Sequence, residues 1–288
     1  MKLLVTGATG KLGSKIVNAL LSKVPADQLA VSVRNPEKAE DFRAKGVEVR
    51  QGDFDKPETL ETAFKGIDRL LIISADGDTE TRIRQHNNAV AAAKNAGVSF
   101  IAYTSIANAQ ESTNFLAEVH KATEKAILQT GIPYSFLRNN WYLENELSTI
   151  QGVQAGAPWV TSAGNGKVGW ALQQDYAEAA AAVLAGEGHE NTIYELSGKP
   201  LSQEEIAAAV SQVIGKEVPV QQVDDTTYAD IMTKAGIPDF VVPMLVAIQK
   251  DIREGTLEID SNDFEKLLGR WETPVVDGIK KLIAGIRQ

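Results

Sequence analysis

A chain of 288 residues with 29 Lys and Arg against 38 Asp and Glu carries a formal charge of −9 at neutral pH, an acidic balance that disfavours sequence-independent binding to phosphate backbones. Its apolar fraction of 43% is ample for a sizeable core, and the length allows one large domain or two smaller ones. With no cysteine, disulfides, thiolate nucleophiles, Cys-ligated zinc, iron–sulfur clusters and flavin/disulfide relays are excluded.

The chain opens on Met1-Lys2-Leu3-Leu4-Val5, which runs straight into a glycine turn instead of a long apolar leader. No stretch reaches the roughly 18 to 20 apolar residues of a spanning helix. A cytoplasmic protein with no membrane or nucleic-acid partner is therefore expected. Up to about residue 140, short β-branched runs alternate with longer helical patterns, which predicts βαβ units and a parallel sheet. Strands are expected at 2–6, 29–34, 47–51, 69–74, 100–105 and 134–138, with helices at 12–22, 36–45, 57–65, 80–96 and 115–130. Gly46, Gly66, Gly97 and Gly131 stand where helices stop. Beyond residue 140, Gly152, Gly156, Pro158, Gly164, Gly166 and Gly169 mark a loop-rich stretch with two short strands. A helix at 175–185, a strand at 192–196 and helices at 202–214, 226–235, 238–254, 261–268 and 274–284 follow. The fold class is α/β: a Rossmann-type, doubly wound parallel sheet over residues 1–150, to which some later segments return. A smaller, mostly helical lobe over 151–288 would cover its open mouth.

The most informative segment is Thr6-Gly7-Ala8-Thr9-Gly10-Lys11-Leu12-Gly13, a G-x-x-G-x-x-G turn between a buried strand and an apolar-periodic helix. Gly7 permits the sharp turn, Gly10 a close approach to a diphosphate, and Gly13 tight packing of helix on strand. The free N–H groups and positive end of that helix favour an anion. Gly7, Thr9, Gly10, Lys11, Leu12 and Gly13 are thus candidate contacts of a dinucleotide. At the end of the second strand, where an acid would bind the ribose hydroxyls of NAD, stands Arg34. Its guanidinium suits a 2′-phosphate, so NADP(H) is favoured, with Lys11 and Lys38 adding charge; a merely solvated Arg34 is the alternative. Asp53 follows the third strand and reads either as an acceptor for the adenine amino group or as a turn residue. Ser74, in Ser74-Ala75-Asp76 after the fourth strand, reads either as a contact to the cofactor ribose or as a strand terminus.

These segments, together with Val33-Arg34-Asn35-Pro36, Gly52-Asp53-Phe54, Phe100-Ile101-Ala102-Tyr103-Thr104-Ser105, His120-Lys121-Ala122-Thr123-Glu124-Lys125 and Phe136-Leu137-Arg138-Asn139-Asn140-Trp141-Tyr142, resemble the NmrA-like branch of the atypical short-chain dehydrogenases. Within it, the chain is similar to bacterial NADPH-dependent, flavin-free quinone reductases and to triphenylmethane-dye reductases. The resemblance runs through Gly164-Asn165-Gly166-Lys167, the helix led by Asp175, and Gly188-His189-Glu190. It implies NADPH as hydride source and a quinone-like acceptor. The chain departs from the wider dehydrogenase pattern, because none of its six tyrosines has Lys four residues on. His120 and Glu124 stand where that pair is expected. Alcohol dehydrogenation by a Tyr/Lys pair is thereby disfavoured, while a quinone, already electrophilic, needs chiefly orientation and donors near its oxygens.

The catalytic candidates are Asn139, His120 and Tyr142. Asn139 or Asn140 could hold the nicotinamide carboxamide or donate to a substrate oxygen, and Trp141 and Tyr142 could wall a planar acceptor or simply pack at the lobe junction. His120 is the candidate proton donor, oriented and raised in pKa by Glu124 one turn on, unless the two are a surface pair. Lys167 and Trp170 ride on a glycine-spaced turn that either reaches the cleft or forms a hairpin. No metal is expected, since His86 and His189 stand in no ligand motif. A sensor of NADP(H) that acts on a partner without turnover and a reductase of triphenylmethane-type dyes are the competing functions. A homodimer is left open.

Overall fold

Strands covered by helices on both faces read as continuous apolar runs, and in Leu3–Thr6 and Leu29–Val33 every side chain is buried. In the computed structural model, which describes residues 1–112 and 116–286, the strands are β1 (Leu3–Thr6), β2 (Leu29–Val33), β3 (Glu48–Gln51), β4 (Arg69–Ile72), β5 (Phe100–Ile106), β6 (Tyr134–Asn139), β7 (Trp159–Thr161), β8 (Lys167–Val168), β9 (Thr192–Leu196), β10 (Leu201–Ser202) and β11 (Val220–Gln222). The helices are α1 (Lys11–Leu21), α2 (Glu40–Ala44), α3 (Pro57–Phe64), α4 (Thr79–Asn95), α5 (Ala117–Thr130), α6 (Leu147–Gln154), α7 (Gln173–Ala185), α8 (Gln203–Ile214), α9 (Asp225–Lys234), α10 (Val242–Arg253), α11 (Asp263–Leu268) and α12 (Val275–Ile286).

A seven-stranded sheet has the order β3-β2-β1-β4-β5-β6-β9, parallel throughout. Strand order reverses between β1 and β4, and the crevice beyond their carboxyl ends is where such sheets bind ligands. The sheet gains its seventh strand from residues 192–196, paired with β6. One face is covered by α1, α7 and Phe264 of α11. The other face packs against α3, α4 and α5. A separate apolar cluster, with Trp159, Ile206, Ile248 and Ile279, holds the later helices together.

The differences from expectation have local causes. The helix expected at 36–45 is a 3-10 turn, Pro36–Ala39, followed by the short α2, with Asn35 capping the turn through a bond from Glu37 N–H of 3.0 Å. Helix α6 escapes a periodicity reading because it is short, carries Gly152 and buries just Ile150 and Val153. Strands β7 and β8 do not form a hairpin: β7 pairs with β11 and β8 with β10. Gly166 serves a close approach instead, since a Cβ there would strike the Ile252 carbonyl. The first residues of the helix expected at 115–130 include Phe115, outside the described residues; α5 itself begins at Ala117. No helix among the described residues is long and apolar enough to cross a membrane.

Candidate active site

Gly7 leaves β1 with φ of +61°, and Gly10 is the N-cap of α1 without any side-chain cap or first-turn acid. A Cβ on Gly13 would collide with the Gly7 carbonyl, so α1 can lie against the turn only with hydrogen there. The first backbone N–H groups of a helix have no partner within it. Here they face a cleft of about 1110 Å³ lined by Gly7, Thr9, Gly10, Lys11, Leu12 and Gly13. Anion binding is the chemistry that such a helix start offers.

On the β2–β3 side the same cleft is lined by Arg34, Lys38 and Asp53. Arg34 and Lys38 are exposed at its rim, and the neighbouring carboxylate of Asp55 is taken by Arg84 at 2.7 Å. Asp53 acts as a turn residue, its Oδ1 accepting from Asp55 N–H at 3.0 Å, and it is also among the residues lining the cleft. Ser32, which the motif reading passes over, presents a buried Oγ without a partner among the described residues, and Gly52 leaves room for it.

Three successive N–H groups after β4 are held by side chains. Ile73 donates to Thr6 Oγ1, Ser74 to Thr104 Oγ1 and Ala75 to His86 Nε2, each at 2.9 Å. His86 must therefore carry its proton on Nδ1, which donates to Thr123 Oγ1 at 2.8 Å. The Ser74 hydroxyl accepts from Arg82 at 2.8 Å. Ser74 is thus a fixed wall of the cleft, and its role is structural at least.

His120 differs from expectation. Glu124 does not orient it: that carboxylate accepts from Ser105 at 2.6 Å and from both Nε and Nη2 of Arg138 at 3.0 and 2.8 Å. The imidazole Nδ1 instead meets Tyr103 Oη at 2.8 Å, and Nε2 lies 3.5 Å from Arg82. Burial first, and then the Arg82 charge, push His120 down to about 3. It is a neutral ring, and the expectation of a raised pKa is overturned.

At the end of β6 the two asparagines part. Asn140 is fully engaged, donating to Ser197 Oγ and the Leu257 carbonyl at 3.0 Å each and accepting from Trp141 N–H at 2.9 Å. Asn139 donates to Tyr142 Oη at 3.0 Å and keeps a buried Oδ1 with no partner among the described residues. Burial raises the Tyr142 phenol to about 12, so it stays protonated. Trp141 lines the cleft, and its Nε1 donates to Glu146 at 3.1 Å, as does Trp170 at 3.0 Å. Trp170 is buried and does not line the cleft; Lys167 reaches Glu258 at 3.8 Å instead.

Comparison with known proteins gives this cleft its context. The model of the NmrA-like family matches residues 1–265. The chain is 38% identical over 279 residues to quinone oxidoreductase 2 of Escherichia coli (strain K12), covering 96% of this chain and 97% of that one. The chain belongs to the NmrA-like family. Two solved structures extend the likeness to nearly all of this NmrA-like chain's backbone. The Citrobacter sp. triphenylmethane reductase complexed with NADP(H) superposes with a TM-score of 0.94 at 42% identity, covering 98% of this chain and all of that one. The Escherichia coli NADPH-dependent quinone oxidoreductase complexed with NADPH does so with 0.93 at 38%, covering 98% and 99%.

The glycine turn, Arg34, Asp53, Ser74, His120, Asn139 and Tyr142 line a common cleft of this NmrA-like protein, whereas Glu124, Lys167 and Trp170 do not line it. Arg82 and Gln173 line it as well and went unread. Gln173 begins α7 and accepts from Lys15 at 3.4 Å. No motif marks either residue; both arrive from helices that the fold brings over the sheet.

Proposed function

We propose that this NmrA-like protein is an NADPH-dependent oxidoreductase that reduces a quinone-like acceptor without flavin or metal. The observation that carries the reading is the convergence, in one cleft, of an uncapped helix start, a cationic rim at the end of β2 and the Asn139–Tyr142 pair. The likeness to an NADPH-dependent quinone oxidoreductase along nearly the full chain supports it.

When bound, NADPH would supply a hydride, which with one proton from solvent takes a quinone to the hydroquinone and leaves NADP+. The chain's own residues bind and orient. The N–H groups of Lys11, Leu12 and Gly13 would hold the diphosphate, and Arg34 with Lys38 would grip the 2′-phosphate. Asp53 faces the adenosine half. The unpartnered Oδ1 of Asn139 would accept from the nicotinamide carboxamide N–H. Tyr142, whose oxygen accepts from Asn139, has its own proton free to donate toward an acceptor oxygen. Trp141 walls the planar ring. His120, neutral and already bonded, fixes the wall and is not the proton source.

Loss of nicotinamide absorbance with NADPH and benzoquinone or naphthoquinone tests this directly; a rate no greater than the uncatalysed one removes it. Calorimetry of Arg34→Ala is expected to show roughly tenfold weaker NADPH binding with NADH binding unchanged. An unchanged preference would assign the phosphate to other residues. The likeness to a triphenylmethane reductase favours a second acceptor class, cationic dyes, which relative rates separate from quinones. Robust turnover with either acceptor removes the case for a purely NADP(H)-sensing protein.

A further inference from the structure

Arginine is protonated at any physiological pH, and burying it without an anion is costly. Arg69, Arg82 and Arg138 are all buried, at 7%, 8% and 8% exposure. Arg138 is paired with Glu124 and Glu195 at 2.8 and 3.0 Å, and Arg69 with Glu190 at 3.6 Å. Among the described residues Arg82 alone of the three has no carboxylate within ion-pair distance. Its Nη2 donates to Ser74 Oγ at 2.8 Å and lies 3.5 Å from His120 Nε2, while its Nε is buried without a partner. The groups around it supply no buried anion. His86 and His120 are neutral rings, burial keeps the Tyr103 phenol protonated, and Glu124 is committed to Arg138. Asp76 stands exposed at the rim.

This guanidinium lines the same cleft as Asn139 and Tyr142. Its anchors, Ser74 after β4 and His120 on α5, belong to the half of the sheet opposite Arg34 and Asp53, where a dinucleotide held by the glycine turn would present its nicotinamide ring, uncharged when reduced. We infer that Arg82 sorts acceptors by charge, holding the oxygen of a neutral or anionic quinone and repelling a cationic acceptor. The inference rests on the quinone-reductase reading and narrows its substrate class. Hydride addition turns a neutral quinone into an oxyanion, whose charge a desolvated guanidinium stabilises before the solvent proton arrives. A triphenylmethane cation becomes neutral on hydride addition, but must first be bound beside a like charge.

The test compares the equilibrium binding of a naphthoquinone sulfonate and of a cationic triphenylmethane dye to NADP+-loaded protein, so that it does not depend on turnover. Wild type is expected to bind the sulfonate more tightly than the dye. In Arg82→Gln the sulfonate should weaken by about tenfold or more and the dye tighten, shifting the affinity ratio by roughly two orders of magnitude. NADPH affinity should stay within about twofold. With unsubstituted naphthoquinone, kcat should fall about tenfold or more while KM changes little. An unchanged ratio in folded Arg82→Gln overturns the inference, as does a loss of NADPH affinity that leaves the ratio intact. Arg82→Lys keeps the charge and should keep the order of affinities; should Arg82→Gln misfold, a reversed order in Arg82→Lys overturns the inference. A wild type that reduces no quinone defeats the proposed function, while the binding ratio still decides Arg82.

Discussion

Two of the three histidines are held as neutral rings inside the protein, His86 and His120 each pushed down to about 3 by burial and then by the Arg82 charge. In the unfolded chain both return to an ordinary value near 6.5. Between those values the unfolded state binds more protons, so stability is fully present above about 6.5 and is lost as pH falls toward about 3. Each ring contributes up to about 1.4 kcal/mol per pH unit in that window. Urea unfolding at pH 7.5, 6.5 and 5.5 should therefore show falling stability, and His120→Gln should reduce the slope. Equal slopes in wild type and variant would show that His120 is not held neutral. The same reasoning predicts that kcat with a quinone has no inflection near pH 6.5 that His120→Gln abolishes.

Arg138 on β6 joins Glu124 on α5 to Glu195 on β9, so one ion triad ties a covering helix to the two last strands of the sheet. Removing one member leaves a buried charge. Arg138→Leu should cost about 3 to 5 kcal/mol, whereas Arg138→Leu combined with Glu124→Leu should lose much less than the sum of the single changes. Strictly additive losses by chemical denaturation would show that the pair is not coupled. This triad also explains what the sequence concealed. The spacing of His120 and Glu124 reveals a shared helix face, but the partner that captures Glu124 lies on a strand that only the fold brings near. The glycine turn, Arg34 and the strand ends were legible because their signals are local: a backbone conformation, a charge at a fixed distance, a period. The partners of β7 and β8 and the missing carboxylate at Arg82 were not, since each depends on which distant residue is present or absent, and α6 was not because it is too short to show a period.

The sheet and its covering layers are not a contiguous piece of chain. Helix α7 supplies buried Tyr176, Val183 and Leu184 against Ile16, Val17 and Leu20 of α1, and β9 completes the sheet beside β6. Phe264 of α11 extends a row of rings through Tyr176 to Tyr142 at the cleft, with centroids 5.1 and 4.9 Å apart. Buried Asp175 then binds Arg270 at 2.9 Å and the Thr273 N–H at 3.0 Å, securing the segment that leads into α12. At about 1.5 to 3 kcal/mol for each large apolar side chain, the α1–α7 seam alone is worth on the order of 10 kcal/mol. That is comparable with the roughly 5 to 15 kcal/mol by which a whole domain is stable. A fragment of residues 1–150 would retain the glycine turn and Arg34 yet lose α7 and Phe264, leaving the face beside α1 partly uncovered. It should show no cooperative thermal transition, bind a hydrophobic fluorophore and give no heat with NADPH. A fragment that melted sharply and bound NADPH like the full chain would show that the dinucleotide half holds together without the segments that return to it.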